Sequence, residues 1–188
     1  MRRDELAHLL RAAATIAGDG RILVVGSQAI LGSYSEEELP EAAWISIEAD
    51  LVFLDPDSGR DKAEQVDGAI GELSQFHAQF SYYAQGVDLT TAKLPAGWLS
   101  RVVEFRPEDS APAIAVCLEK HDLVISKLVA MREKDLAFAM ALLQAGLLDV
   151  VLAQADGRGR RRVVGFTTRL CQPSGSLRSS GPRLARSS

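Results

Sequence analysis

The sequence predicts a mixed α/β fold of the α+β kind: a mixed β-sheet core with helices, followed by a C-terminal helical segment. Three observations carry that prediction. Short apolar runs bounded by Gly, Pro and Asp recur along the first 117 residues. Between them lie stretches whose apolar residues recur at helical spacing. Beyond residue 120 the helical pattern continues without a strand signal.

The elements follow in order. Leu6, Leu9, Leu10, Ala13 and Ala17 form the stripe of a first helix that ends at Gly18-Asp19-Gly20. Residues 21–25 read as a first strand, closed by Gly26-Ser27 and a short helix to Gly32. Residues 33–43 are acidic and polar, contain Pro40, and read as a loop. A second strand is expected over 44–54, stopped by Asp55-Pro56-Asp57. Its residues Ile45, Ile47, Ala49, Leu51 and Phe53 make one apolar face. A helix is expected over 61–76, with Ala63, Val66, Ile70 and Leu73 on one side. Strands follow over 80–84, 101–105 and 114–117, with a loop through 94–98. Residues 121–145 read as one strong helical segment whose apolar side is Leu123, Leu128, Val129, Leu136 and Leu143. No internal repeat is present.

Composition bounds the function classes. At 188 residues and 47% hydrophobic, the chain suffices for one domain with a sizeable core. Cys117 and Cys171 form neither a ligand spacing nor a disulfide framework. The first residues carry acids early, and Arg11 interrupts the apolar stretch, so a secretory signal is not expected. No run of about 18 apolar residues exists, so no membrane span is expected and the expected setting is cytoplasmic. Charge divides the chain: residues 1–157 hold all 25 acids and 13 of the 21 Lys and Arg, whereas residues 158–188 hold eight arginines and no acid. The expected organisation is an α/β core over 1–110, a helical part over 111–156, and a basic low-complexity tail over 157–188, expected to be disordered.

The chemistry centres on the second strand. Glu48 and Asp50 are two residues apart, share a face, and lie roughly 7 Å apart at the backbone. Two hard oxygen donors at that spacing suit Mg²⁺, which takes one or two carboxylates plus substrate phosphates. Gly26-Ser27 is a small-residue turn that can hold phosphate through backbone N–H groups. Lys127, Arg132 and Asp135 fall within an arc of roughly 140° on one helix, where two cations can neutralise a triphosphate. Each feature also has an ordinary structural reading: a solvated strand face for the acids, and a charged helix face for the cations. A dinucleotide-binding fingerprint is weak here, because Gln28 stands where the second glycine is required. His77 reads as a packed or surface residue and His121 as structural, with Asp122 as the expected N-cap of the last helix.

In this order, Gly26-Ser27, Glu48-Ala49-Asp50, Lys127-x4-Arg132 and Asp135 resemble the four motifs of the nucleotidyltransferase superfamily. Glu119 to Leu128 and the Lys134-Asp135 pair resemble in particular its branch of AbiEii-type toxins and uncharacterised bacterial relatives. The resemblance spans about residues 20–150. It implies a nucleotidyltransferase-like mixed sheet, bound Mg²⁺ with an NTP substrate, and transfer of NMP to an RNA, protein or small-molecule acceptor. A cognate antitoxin is an implied partner. Carried over by position, Gly26 and Ser27 hold phosphate, Glu48 and Asp50 hold metal, Lys127 and Arg132 contact nucleotide, and Asp135 matches the last acidic motif. For a third carboxylate, Glu104 and Asp88 are the candidates. The alternative is a catalytically inactive nucleotide-binding or antitoxin-like protein of the same fold.

Overall fold

The computed structural model describes residues 1–148, which make one compact unit. The expected tail over 157–188 and residues 149–156 of the expected helical part lie outside the described residues.

The fold is mixed α/β. Helix α1 (Arg3–Ala17) leads into strand β1 (Arg21–Val25), then a 3₁₀ turn (Ser27–Gly32), a short helix α2 (Glu41–Trp44) and strand β2 (Glu48–Phe53). Helices α3 (Gly59–Ile70) and α4 (Gln75–Phe80) precede strand β3 (Tyr83–Gly86). Strands β4 (Val103–Phe105) and β5 (Ile114–Cys117) are followed by helices α5 (Lys120–Ala130) and α6 (Glu133–Gln144). The five strands form one sheet in the order β3-β2-β1-β5-β4. Strand β1 is central, antiparallel to β2 and parallel to β5; β3 joins β2 in parallel, and β4 closes the other edge antiparallel to β5.

Burial explains the arrangement. Ile22 to Val25 are all buried, so both faces of the central strand are covered, as the unbroken apolar run requires. Helices α1 and α3 pack on one another, with Leu6, Leu9, Leu10 and Val66 fully buried. The 3₁₀ turn contributes Ala29, Ile30 and Leu31 to the same core and touches β1, β2, β5 and α5. Cys117 is buried too, and loss of water around its thiol pushes its pKa up to about 12.

Several boundaries differ from expectation for identifiable reasons. The second strand starts at Glu48, not at residue 44, because its first pairing is to Tyr83 of β3, and β1 ends at Val25, opposite Asp50. Ile45 and Ile47 are therefore 59% and 47% exposed rather than part of an apolar strand face. Residues 33–43 carry a 3₁₀ turn (Glu36–Glu38) and the start of α2 instead of plain loop. The helix expected over 61–76 breaks after Ile70. There Leu73 takes a left-handed backbone and is 90% exposed, and Ser74 caps α4 by accepting the His77 N–H. Phe80 accordingly ends a helix, and the third strand begins only at Tyr83.

The helix expected over 121–145 is two helices. Met131, left-handed at φ 55°, ends α5 by donating its N–H to the Lys127 carbonyl, and α6 starts afresh at Glu133. The apolar side is also rotated from expectation: Leu123, Val124, Phe138, Ala139 and Leu142 are buried, while Leu128, Val129, Leu136 and Leu143 are exposed. The N-cap of α5 is Glu119, not Asp122; its side chain accepts the His121 N–H. Asp122 is buried instead and accepts a two-pronged hydrogen bond from Arg101, both contacts 2.8 Å. His77 stacks on Tyr83 at 4.7 Å, in keeping with a packed residue.

Candidate functional site

A cavity of about 300 Å³ opens where β1 hands over to its turn and β2 begins. Gly26, Ser27, Glu48, Asp50, Lys127 and Arg132 all line it. Six of the seven residues singled out by sequence thus meet in one place.

Gly26 is fixed by its backbone and by its neighbour. Its φ of 66° and ψ of −165° lie where essentially only glycine is found. A Cβ built there would meet the Asp50 Oδ2 at 1.8 Å. The carboxylate of Asp50 is therefore seated against the bare Cα of the turn. Gly26→Ala should cost about 1–3 kcal/mol in backbone strain and push the Asp50 carboxylate out of place. A lowered Tm is the expected result, and thermal denaturation checks it.

The two acids differ in environment. In the sheet register Glu48 pairs with Tyr83, Asp50 with Val25 on one side, and Asp50 with Gln85 on the other. Burial, then the Glu48 charge, raises the pKa of Tyr83. Burial raises the Asp50 carboxyl to about 6, with Glu48 adding like-charge repulsion. Lys127, Lys134 and Arg132 act on it in the opposite direction. Asp50 is thus a carboxylate short of positive charge despite three cations nearby.

Asp135 does not line the cavity. Its side chain is 0% exposed, behind the cations, and saturated by them. Lys127 Nζ donates to Oδ1 at 3.1 Å, while Arg132 donates Nε to Oδ2 at 2.6 Å and Nη2 to Oδ1 at 3.3 Å. Burial alone would raise the Asp135 pKa, but the hydrogen bonds from Arg132 and Lys127 outweigh it and hold it below the ordinary value. Lys127 is itself buried, which lowers its pKa, and its ammonium sits 4.7 Å from the Phe138 ring centre. Asp135 therefore aims Lys127 and Arg132 and has no free oxygen to offer a metal. The break at Met131 makes this contact: Lys127 near the end of α5 and Arg132 at the N-cap of α6 both turn onto Asp135 in the first turn of α6.

The two candidate third carboxylates are elsewhere. Glu104 lies on β4, the far edge of the sheet, paired with Arg21 at 2.6 Å and Arg106 at 3.1 Å. Asp88 is exposed and builds a turn, accepting from Thr90 N and Oγ1 at 2.8 and 2.6 Å. Among the described residues no group of three or more His, Cys, Asp or Glu is placed to hold a metal ion. The carboxylate donor set is the pair Glu48 and Asp50. Residues that sequence reasoning passed over also line the cavity: Ser46, Gln85, Lys93, Ser126 and Lys134. Lys134 had a signal, being adjacent to Asp135. Gln85 and Lys93 had none, since only strand pairing and the path after β3 bring them in.

Chemically, the cavity offers two carboxylate oxygen donors beside a glycine turn, faced by cations held in place from behind. Among the described residues no helix is long and apolar enough to cross a membrane. Comparison of this chain with protein-family models, with curated proteins and with solved structures finds no match to any of them.

Proposed function

We propose that the cavity binds a nucleoside triphosphate with Mg²⁺ and transfers its NMP to a hydroxyl of an RNA, protein or small-molecule acceptor, as the resemblance to nucleotidyltransferases implies. The observation that carries this reading is the seating of Asp50 on Gly26 beside Glu48, facing Lys127 and Arg132 in one cavity. A solvated strand face does not bury a carboxylate against a glycine that no other residue can replace.

The residues present fit a divalent cation. Glu48 and Asp50 supply two hard oxygen donors, and Mg²⁺ takes its remaining ligands from phosphate and water. Bound there, the metal supplies Lewis-acid stabilisation of charge on the transferring phosphoryl group. The remaining work falls to the chain. Gly26 and Ser27 cradle phosphate oxygens from the floor of the cavity. Lys127 and Arg132, aimed by Asp135, balance negative charge on the leaving pyrophosphate. The acceptor oxygen bonds to the α-phosphorus as the bond to pyrophosphate breaks, and the hydroxyl proton passes to a carboxylate of the pair.

One observation favours a second reading, nucleotide binding without turnover. Glu104 and Asp88, the candidates for a third carboxylate, lie elsewhere, and the residue paired with Asp50 on β3 is Gln85, an amide. One experiment separates the two: incubate the full chain with each α-labelled NTP, Mg²⁺ and total RNA or protein, and ask what becomes labelled. Label in an acceptor fraction, abolished by EDTA, is the expected result. Saturable NTP binding with no label transferred supports the second reading.

A further inference from the structure

Lys127 and Arg132 share Asp135, so part of their charge is already matched inside the protein. Two other cations line the same cavity, Lys93 and Lys134, and neither makes an ion pair among the described residues. Their positions in the fold differ. Lys134 stands in the first turn of α6, which packs against α5 and α2. Lys93 follows β3, which lies beyond β2 at one edge of the sheet. The two lysines therefore reach the cavity from different elements, Lys134 from α6 and Lys93 from the segment after β3.

The backbone that carries Lys93 is anchored. Asp88 closes the preceding turn by accepting from Thr90, and Thr91 Oγ1 returns a hydrogen bond to the Asp88 carbonyl at 2.6 Å. Ala92 and Leu94, on either side of Lys93, are partly buried against the core. The Lys93 side chain is exposed at the cavity between two fixed neighbours. An uncommitted ammonium on an ordered segment, facing a cavity that already holds cations, has one evident class of ligand: a polyanion with several charges in line.

We propose that Lys93 is a specificity-determining residue that, together with Lys134, clamps the polyphosphate tail of the nucleotide and so selects triphosphates over monophosphates. This rests on the nucleotide reading of the cavity. A charged hydrogen bond to phosphate is strong enough to change affinity by about tenfold.

The test is a calorimetric titration of the full chain with Mg²⁺ and three probes: each NTP, the matching nucleoside monophosphate, and inorganic tripolyphosphate. Lys93→Met should weaken NTP and tripolyphosphate about tenfold and leave monophosphate binding unchanged, while Lys93→Arg restores the triphosphate affinity. Because Lys93 is exposed, both variants should melt like the parent. Unchanged tripolyphosphate binding in Lys93→Met, or equal loss for monophosphate, overturns the clamp while the nucleotide site stands. A parent chain that binds neither NTP nor tripolyphosphate overturns the nucleotide reading and the clamp together.

Discussion

Replacing Asp50 with asparagine should abolish nucleotidyl transfer and at the same time make the protein more stable at pH 7. The folded state raises the Asp50 pKa from 3.8 to about 6, first through burial and then through repulsion from Glu48. A carboxyl whose folded pKa is raised binds its proton more tightly when folded. Stability therefore falls as pH rises from about 4 to about 6, and the full penalty applies above that window. The shift corresponds to about 3 kcal/mol. Asparagine keeps the shape without the charge, so Asp50→Asn should raise Tm at pH 7 by about 5–10 °C. The gain should shrink to a small remainder near pH 4, because the parent carboxyl is protonated in both states only well below 3.8. Thermal denaturation of parent and variant at the two pH values measures it directly. A solvated strand face would give no gain at either pH, and an ordinary ion-paired carboxylate would give a loss.

Asp135→Ala should have the largest effect on stability. It removes the one carboxylate that, among the described residues, accepts from both Lys127 and Arg132, and leaves the Lys127 side chain, 7% exposed, beside an aromatic ring. Breaking one side of a buried ion pair costs about 3–5 kcal/mol, or a fall in Tm of about 10 °C for a chain of this size. The companion experiment separates structure from binding. Replacing both partners together, Lys127→Met with Asp135→Leu, removes the uncompensated charge and should recover much of the stability. Nucleotide affinity should be lower in the double variant than in the parent, because Lys127, one of the cations lining the cavity, is gone. If the double variant binds nucleotide like the parent, Lys127 has no part in the site.

The legible parts of this protein are those written over short distances. Gly26-Ser27 and Glu48-x-Asp50 could be read because a turn and a strand face each need only a few neighbouring residues. The centre of the sheet was legible for the same reason, Ile22 to Val25 of β1 being a continuous apolar run. Reading Lys127 and Arg132 as one helix face placed them correctly for a different cause from the actual one. The helix is broken at Met131, a non-glycine residue in a left-handed conformation that carries no sequence signal, and that break turns both cations onto Asp135. The role of Asp135 was hidden for the same reason, since burial behind a cavity is a property of packing. Ile45 and Ile47 misled because alternation predicts a strand wherever it occurs, whereas pairing stops where the partner strand ends. Lys93 and Gln85 could not be found at all, because nothing local marks a residue brought in by the neighbouring strand.

The central claim is that Glu48 and Asp50 make the cavity a metal-dependent nucleotide site. Calorimetric titration of the four NTPs into the full chain, with Mg²⁺ and then with EDTA, tests it most directly, with Glu48→Gln and Asp50→Asn run in parallel. Saturable one-to-one binding of at least one NTP is predicted, dependent on Mg²⁺ and lost in both folded variants. NTP affinity that ignores both Mg²⁺ and the two acids, or no NTP binding under any of these conditions, contradicts it.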